Sequence, residues 1–444
     1  MRRLAFVLAA ALTMVVCNPT KLRPGYCKTD DDCKDGKHCD LNGTWMCINR
    51  DAGMPTDADG GDGRDARDVA DEPKFNCNQC EAGANNVCDM DASRCVECLS
   101  DGDCGGDGSL NKVCDLSSFT CVGCLPTDNP CTGTTPICSN KVCRPCVDDS
   151  QCDLAVCMKD GHCAGSGEVI FVDYSAATCP GDGLSATPFC SIPAAMPSLN
   201  SNRHVIVIRG PADDKLMLAT TDVLPVIVGK KNLAGADASI PAGAGTAILA
   251  SSDQVLIRDL TATGGTADTS KGILASGSTK ITLVNVRANL TTGLGIQADS
   301  GAQLTMDRCT VVKNSVGGLL INGAGYDIQN SVFAENGFSQ IQFSSTPNPG
   351  TPSFRFNTVV ATSGNAATCD VNNKRPLSDS IIMGGQNCTV VNSRTAATFK
   401  ASPAYHLSAP IGCPEMPVAP VPTHDIDNEV RMSPLDCGAD QFVQ

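Results

Sequence analysis

The sequence predicts an all-β chain built in two styles. A coil of short parallel strands fills the C-terminal two-thirds, and small disulfide-knotted modules precede it. Two observations carry this. After residue 168, short alternating apolar runs recur roughly every two dozen residues; before residue 167, cysteines fall into regular groups of four.

The chain has 444 residues, 28 cysteines, only 4% aromatic residues and a formal net charge of −15. That length suggests two or three domains. The acidic balance argues against nucleic acid or an anionic membrane as the main partner, because both call for a basic surface. So many cysteines point to an oxidising compartment, and hence to export. No cofactor is implied.

Residues 1–17 read as a signal peptide. Met1-Arg2-Arg3 is a basic start, and the apolar run Leu4 to Val16 is too short to span a bilayer. The run ends at Cys17 in "TMVVCNP". This is similar to a bacterial lipobox, although Met14 and Val16 stand where Leu and a small residue are usual. The resemblance makes Cys17 the expected lipidation site; ordinary cleavage and free secretion is the alternative. Apart from this run, no apolar stretch is long enough to cross a membrane.

Between residues 18 and 167, 26 acidic residues face 14 basic ones, so most of the negative charge lies here. Residues 18–47 form one module with Cys27, Cys33, Cys39 and Cys47. Residues 48–76, rich in Asp and Gly with little to bury, read as an acidic disordered linker. Residues 77–167 hold four further modules: Cys77, Cys80, Cys88 and Cys95; Cys98, Cys104, Cys114 and Cys121; Cys124, Cys131, Cys138 and Cys143; Cys146, Cys152, Cys157 and Cys163. Three modules open alike, with "CKTDDDC", "CLSDGDC" and "CVDDSQC", or C-x2-D-x-[DQ]-C. Phe119 is the sole aromatic residue of 77–163, so these units bury too little to offset the entropy of ordering and need cross-links. Two disulfides per module follow, with connectivity left open. The C-x2-C pairs (Cys77/Cys80, Cys95/Cys98, Cys121/Cys124, Cys143/Cys146) could also suit zinc, but other cysteines intervene. No metal site is expected.

In the third region, 168–444, "IRDLTA", "LVNVRA", "MDRCTV", "IQNSVF", "RFNTVV" and "LSDSII" align on Asp259, Asn285, Arg308, Asn330, Asn357 and Asp379, at intervals of 26, 23, 22, 27 and 22 residues. Such a repeat is short for a propeller blade and has no leucine-rich or helical signature. It suits three short parallel strands per turn, stacked at about 4.8 Å. Val255 and Ile257, Ile281 and Leu283, Leu304 and Met306, and Tyr326 and Ile328 should form the inward stack. The recurring Asn or Asp should be a turn residue satisfying backbone groups.

The region resembles the right-handed parallel β-helix (solenoid), pectin-lyase-like proteins of bacteria. Its opening, with "PFCSIPAA", is similar to the segment that leads into that family's capping helix. Its end, "DIDNEVRMSPLDCGADQF", is similar to the family's closing motif. The resemblance implies the fold but not the activity, since the fold hosts lyases, hydrolases, epimerases, adhesins and inert stalks. Of the seven cysteines left, Cys179–Cys190, Cys369–Cys388 and Cys413–Cys437 are expected as local bridges, with Cys309 a buried free thiol.

Polysaccharide lyases and hydrolases on this fold need a cluster of carboxylates with a base, or two carboxylates in acid and base roles. One expected outward row, Leu249, Leu274, Gln297, Leu320, Gln342 and Asp370, holds a single acid. The next strand offers Arg258, Asp307 and, diagonally on the adjacent coil, Asp327: the best candidates that can be assembled. Asp213-Asp214-Lys215 is a second acidic spot, in a loop. The five His do not cluster in sequence, and the only Trp, Trp45, lies outside the coil. The expectation is therefore an exported, lipid-anchored protein of the outer membrane or cell surface, or a secreted one. Its β-helix would bind glycan or another surface protein, or act structurally. The alternatives are an extracellular polysaccharide lyase or hydrolase, and a passive stalk or coat component.

Overall fold

The computed structural model describes residues 38–39, 47–48, 80, 87–89, 92, 94–104 and 113–442, the last stretch apart from 178, 220–222, 252–253, 346–351, 372–373 and 418–419. The chain divides into two units, Met1–Lys74 and Phe75–Gln444. In the first, His38–Cys39 pairs with Cys47–Ile48, setting Cys39 opposite Cys47. Cys17, Cys27, Cys33, Cys77 and residues 49–76 lie outside the described residues.

In the second unit each module is a hairpin joining its third and fourth cysteines. Cys88 faces Cys95, Cys114 faces Cys121, and Cys138 faces Cys143. The disulfides run first to third and second to fourth: Cys98–Cys114 with Cys104–Cys121, Cys124–Cys138 with Cys131–Cys143, and Cys146–Cys157 with Cys152–Cys163. Cys80–Cys95 follows the second rule. The C-x2-C pairs Cys95/Cys98, Cys121/Cys124 and Cys143/Cys146 thus each straddle two modules. Sulfurs close enough to share a metal, such as Cys98, Cys104 and Cys121, are bound in disulfides and offer no thiolate.

The motif C-x2-D-x-[DQ]-C has a mechanical reading. Its first acid ties the opening loop to the hairpin: Asp101 accepts the Cys114 N–H at 2.7 Å, and Asp149 the Cys157 N–H at 2.8 Å. Its second polar residue closes a single 3-10 turn from below. Asp103 accepts the N–H groups of Leu99 and Ser100, and Gln151 those of Val147 and Asp148. Those backbone donors hold the Asp103 carboxyl below its usual range.

From Val169 the chain winds as a parallel β-solenoid with three faces. One face is a ten-stranded sheet that includes Val205–Arg209, Val226–Lys230, Gln254–Arg258, Lys280–Val284, Gln303–Asp307 and Gly325–Gln329. The other two are short strands such as Thr261–Thr263 and longer ones such as Lys271–Ala275; the long strand Thr358–Cys369 belongs to both and joins them. Alternation along each strand turns one set of side chains inward. Val255, Ile257, Ile281, Leu283, Leu304, Met306, Tyr326 and Ile328 are each at most 3% exposed and stack in one continuous core. The described residues contain a single α-helix, Ile192–Ala195, capped by the Ser191 hydroxyl, with Ile192 and Ala195 buried against the core.

The bends between faces use left-handed backbone. At the first bend this falls on Asp259, Asn285, Arg308, Asn330, Phe356, Asp379 and Asn392. Register corrects the sequence alignment at one point: Phe356, not Asn357, takes the left-handed position, because Ile328 pairs with Phe354 and Gln329 with Arg355. Asn357 is the next residue, turned inward. There the residues after the bend form a buried ladder. The Cys309 N–H donates to Ser331 Oγ, the Ser331 N–H to Asn357 Oδ1, the Asn357 N–H to Ser380 Oγ and the Ser380 N–H to Ser393 Oγ. At the second bend Leu290, Lys313 and Glu335 are left-handed. Behind them Thr291 donates to Asn314, and Asn314 to Asn336, whose N–H meets Gln340 Oε1. These inward hydroxyls and amides satisfy backbone groups that the bend removes from the strand ladders, whereas the aligned Asn and Asp of the first bend bond mainly to neighbouring side chains, Asn285 to Asp259 and Asn330 to Asp307. Cys309 is a free buried thiol, and burial pushes it up to about 12.

The first strands are buried on both faces. Val205, Val207, Val226 and Val228 turn outward against Leu154, Val156 and Met158 of the last cysteine module. Asp149 of that module, already holding the Cys157 N–H, also pairs with Lys230 and lies 2.9 Å from Arg258 Nη2. At the other end, the closing motif is a clasp. Arg431, 8% exposed, donates to Asn330 Oδ1 and to the carbonyls of Gly438 and Ala439, with its guanidinium 4.9 Å from the centre of the Phe356 ring. Burial lowers it to about 10 despite Asp425, Asp440 and Asp436 nearby. Asp425 accepts the N–H groups of Asp427, Glu429 and Gln441, and Asp436 those of Ile411 and Phe442. Gly438 has φ +94°, and a Cβ there would lie 2.6 Å from Ile381 Cδ1, so no other residue fits.

Two predictions follow from these contacts. Asn314→Ala strands the Thr291 N–H and the Ala288 carbonyl, both bonded by Asn314; it should lower unfolding free energy by about 3 kcal/mol in a denaturant titration, against under about 0.5 for the exposed Lys280→Ala. Asp149→Ala leaves Lys230 and Arg258 without their shared carboxylate; limited proteolysis should then cleave faster between residues 164 and 168, at a stability loss of about 3 kcal/mol.

Candidate functional site

Docking the last module against the coil creates a groove of about 1040 Å³. Its floor is aliphatic: Val226, Leu256 and Val284 on the sheet, with Met158 and Ala155 from the module. One rim carries Asp148, Asp149 and Lys159. The other is the bend column Asp259, Asn285 and Arg308, with Asp307 beside it and Asp427 and Asn428 of the clasp at its end. The column is internally bonded, Asn285 Nδ2 donating to Asp259 Oδ1 at 2.7 Å.

The structure places the sequence-derived candidates differently from one another. Arg258 and Asp307 line the same groove, whereas Asp327 does not. Asp307 and Asp327 lie on adjacent coils, Asp307 opposite Gln329 and Asp327 opposite Thr305, which is a diagonal relation. Both Asp307 oxygens are occupied. Asn330 Nδ2 donates to Oδ1 at 2.9 Å and Gln329 Nε2 at 3.3 Å, while Arg308 Nε reaches Oδ2 at 3.3 Å. Asp327 faces Arg355 at 4.0 Å. Arg258 is spent on Asp149. These side chains hold the wall together. They do not form two carboxylates flanking a scissile bond.

Two further sequence assignments change. Gln342 pairs with Thr368, so Thr368 and not Asp370 ends the outward row of Leu249, Leu274, Gln297 and Leu320. The acidic loop is structural at Asp214, which accepts the Tyr174 hydroxyl at 2.6 Å. Cys179–Cys190, Cys369–Cys388 and Cys413–Cys437 are disulfides. The groove residues that sequence reasoning passed over, Asp149, Lys230 and Asp427, had one signal. "VIFVD", "VIVIR" and "VIVGK" are unbroken apolar runs, as strands covered on both sides must be.

With this geometry in hand, a comparison with known families decides the fold name. Residues 239–402 match the family model described as right handed beta helix region. This part of the chain is a right-handed β-helix. No curated protein and no solved structure matches the chain. The β-helix explains why the wall column repeats once per turn: each coil adds one bend residue directly above the last.

Behind the groove's clasp end, His406 Nε2 lies 3.0 Å from Asp427, and Asp440 accepts the Leu407 N–H. His406, Asp427 and Asp440 bring ligand atoms within 4.8 Å of one another, but these contacts already engage them in closing the β-helix. Burial raises the Asp440 carboxyl to about 6. The unfolded chain releases this proton near 3.8 and the folded chain near 6, so stability falls as pH rises through that interval. His162 acts in the same direction at higher pH. Burial opposes its charge, yet hydrogen bonds to Asp160 and Glu168 leave it raised above 6.5, a contribution present below that value and lost as pH climbs past it. The melting temperature should therefore be higher at pH 5 than at pH 7.5. Asp440→Asn should flatten the lower part of that profile, as read by calorimetry at half-unit steps.

Proposed function

We propose that this is an exported, lipid-anchored cell-surface protein whose β-helix binds glycan or another surface protein without catalysis. One observation carries the reading: the groove is open, while Arg258 and Asp307, the two catalytic candidates that line it, are engaged in holding its walls. Arg258 serves Asp149, and Asp307 serves Asn330, Gln329 and Arg308. The lining offers no histidine. An aliphatic floor between amide and carboxylate rims suits a ligand with an apolar face and polar edges. Stacked disulfides support an oxidising environment, and the apolar run before Cys17 supports acylation there.

The full chain, exported in a bacterial host, should take up labelled fatty acid, and Cys17→Ser should abolish the label. Offered acidic and neutral polysaccharides, it should release no products, while binding to a glycan or surface-protein panel should survive Asp307→Asn with affinity within about threefold. Cleavage lost on Asp307→Asn would overturn the non-catalytic reading.

A further inference from the structure

The longer strands of one β-helix face, Leu216–Leu218, Thr246–Ala250, Lys271–Ala275, Leu294–Asp299, Gly317–Asn322, Ser339–Ser344 and the end of Thr358–Cys369, stack side by side. Their outward centre row runs Met217, Leu249, Leu274, Gln297, Leu320 and Gln342 along the solenoid axis. Met217 is 51% exposed, and Leu249, Leu274 and Leu320 are partly exposed. In the ten-stranded sheet, outward valines are covered by the last cysteine module. Here the same kind of row meets solvent among the described residues.

We infer that this face docks a second copy of the chain, sheet against sheet, about a two-fold axis parallel to the solenoid axis. Size supports a second copy. Seven strands about 4.8 Å apart, with about five residues each at 3.3 Å, make a face roughly 30 by 16 Å. Two such faces bury on the order of 1,000 Å² in total, at the lower limit for a specific interface. Charge supports it as well. A net charge of −15 opposes self-association, so a self-docking face must carry little charge of its own. This row is uncharged. Its flanks carry opposite signs: Lys271 opens one strand, and Asp299 closes the strand one coil further on. Among the described residues neither takes part in an ion pair; Lys271 donates to the Thr269 carbonyl, and Asp299 accepts from Gln297 and Asn322. The proposed axis sets the start of each strand against the end of its counterpart, so Lys271 of one copy comes beside Asp299 of the other. Leucine rows then interdigitate as in a β-sandwich, about 10 Å between sheets.

The test is sedimentation velocity of the full exported chain carrying Cys17→Ser, so that acylation cannot drive association. A monomer–dimer equilibrium with Kd on the order of 10 μM is expected from so small an interface. Leu320→Arg, at an outward position, should keep the circular dichroism and melting temperature yet weaken dimerisation at least tenfold. Lys271→Glu and Asp299→Lys should each weaken it severalfold, and the double exchange should restore it. Monomer alone at ten times that concentration would overturn the proposal. So would a dimer indifferent to Leu320→Arg, or a monomer whose binding to a saccharide is lost on Leu320→Arg.

Discussion

Backbone hydrogen bonding between successive coils is the constraint on which the rest of this structure depends. Once Gln254–Arg258 and Lys280–Val284 are in register across the first sheet, every inward side chain must fit the one above and the one below. Aliphatic residues meet that demand along the strands. At the bends, where left-handed residues interrupt the ladder, Asn357 and Asn336 meet it with side-chain oxygens and amides in place of peptide groups. The stack has no intrinsic end, so both ends need their own chemistry. The helix at Ile192–Ala195 packs on the core at the start while the last cysteine module covers the outward face of the first strands, and the Arg431 clasp secures the closing segment.

The coil was legible because its signal is local and repeated. Alternation in "QVLIR" and "KITLV" needs no knowledge of distant residues. The one misplaced repeat shows the limit. Asn357 looks like its counterparts in sequence, yet register gives the left-handed position to Phe356. An aromatic residue there is tolerated because Arg431, far along the chain, covers its ring. Nothing near Phe356 in the sequence announces that partner. The same holds for Thr368, displaced from expectation by the long strand that serves two faces.

The candidate site was less legible, for a related reason. Asp307 could be seen to point outward, but whether its oxygens were free depended on Asn330 and Gln329 one coil above. Arg258 depended on Asp149, more than a hundred residues earlier. A charged residue's role is set by its partners, and these partners come from different modules. The unbroken apolar strands, by contrast, did carry the information that something covers them. They could not name the cover.

Asp149 belongs to two structures at once. Its carboxylate is aimed by the Cys157 N–H, and that N–H is fixed in place by the bridge from Cys157 to Cys146. Breaking that bridge therefore loosens the carboxylate's hold on Lys230 and Arg258, and with it the cover over the outward valines of the first strands. Reduction of a small unit is thus felt as bared apolar surface on its larger neighbour.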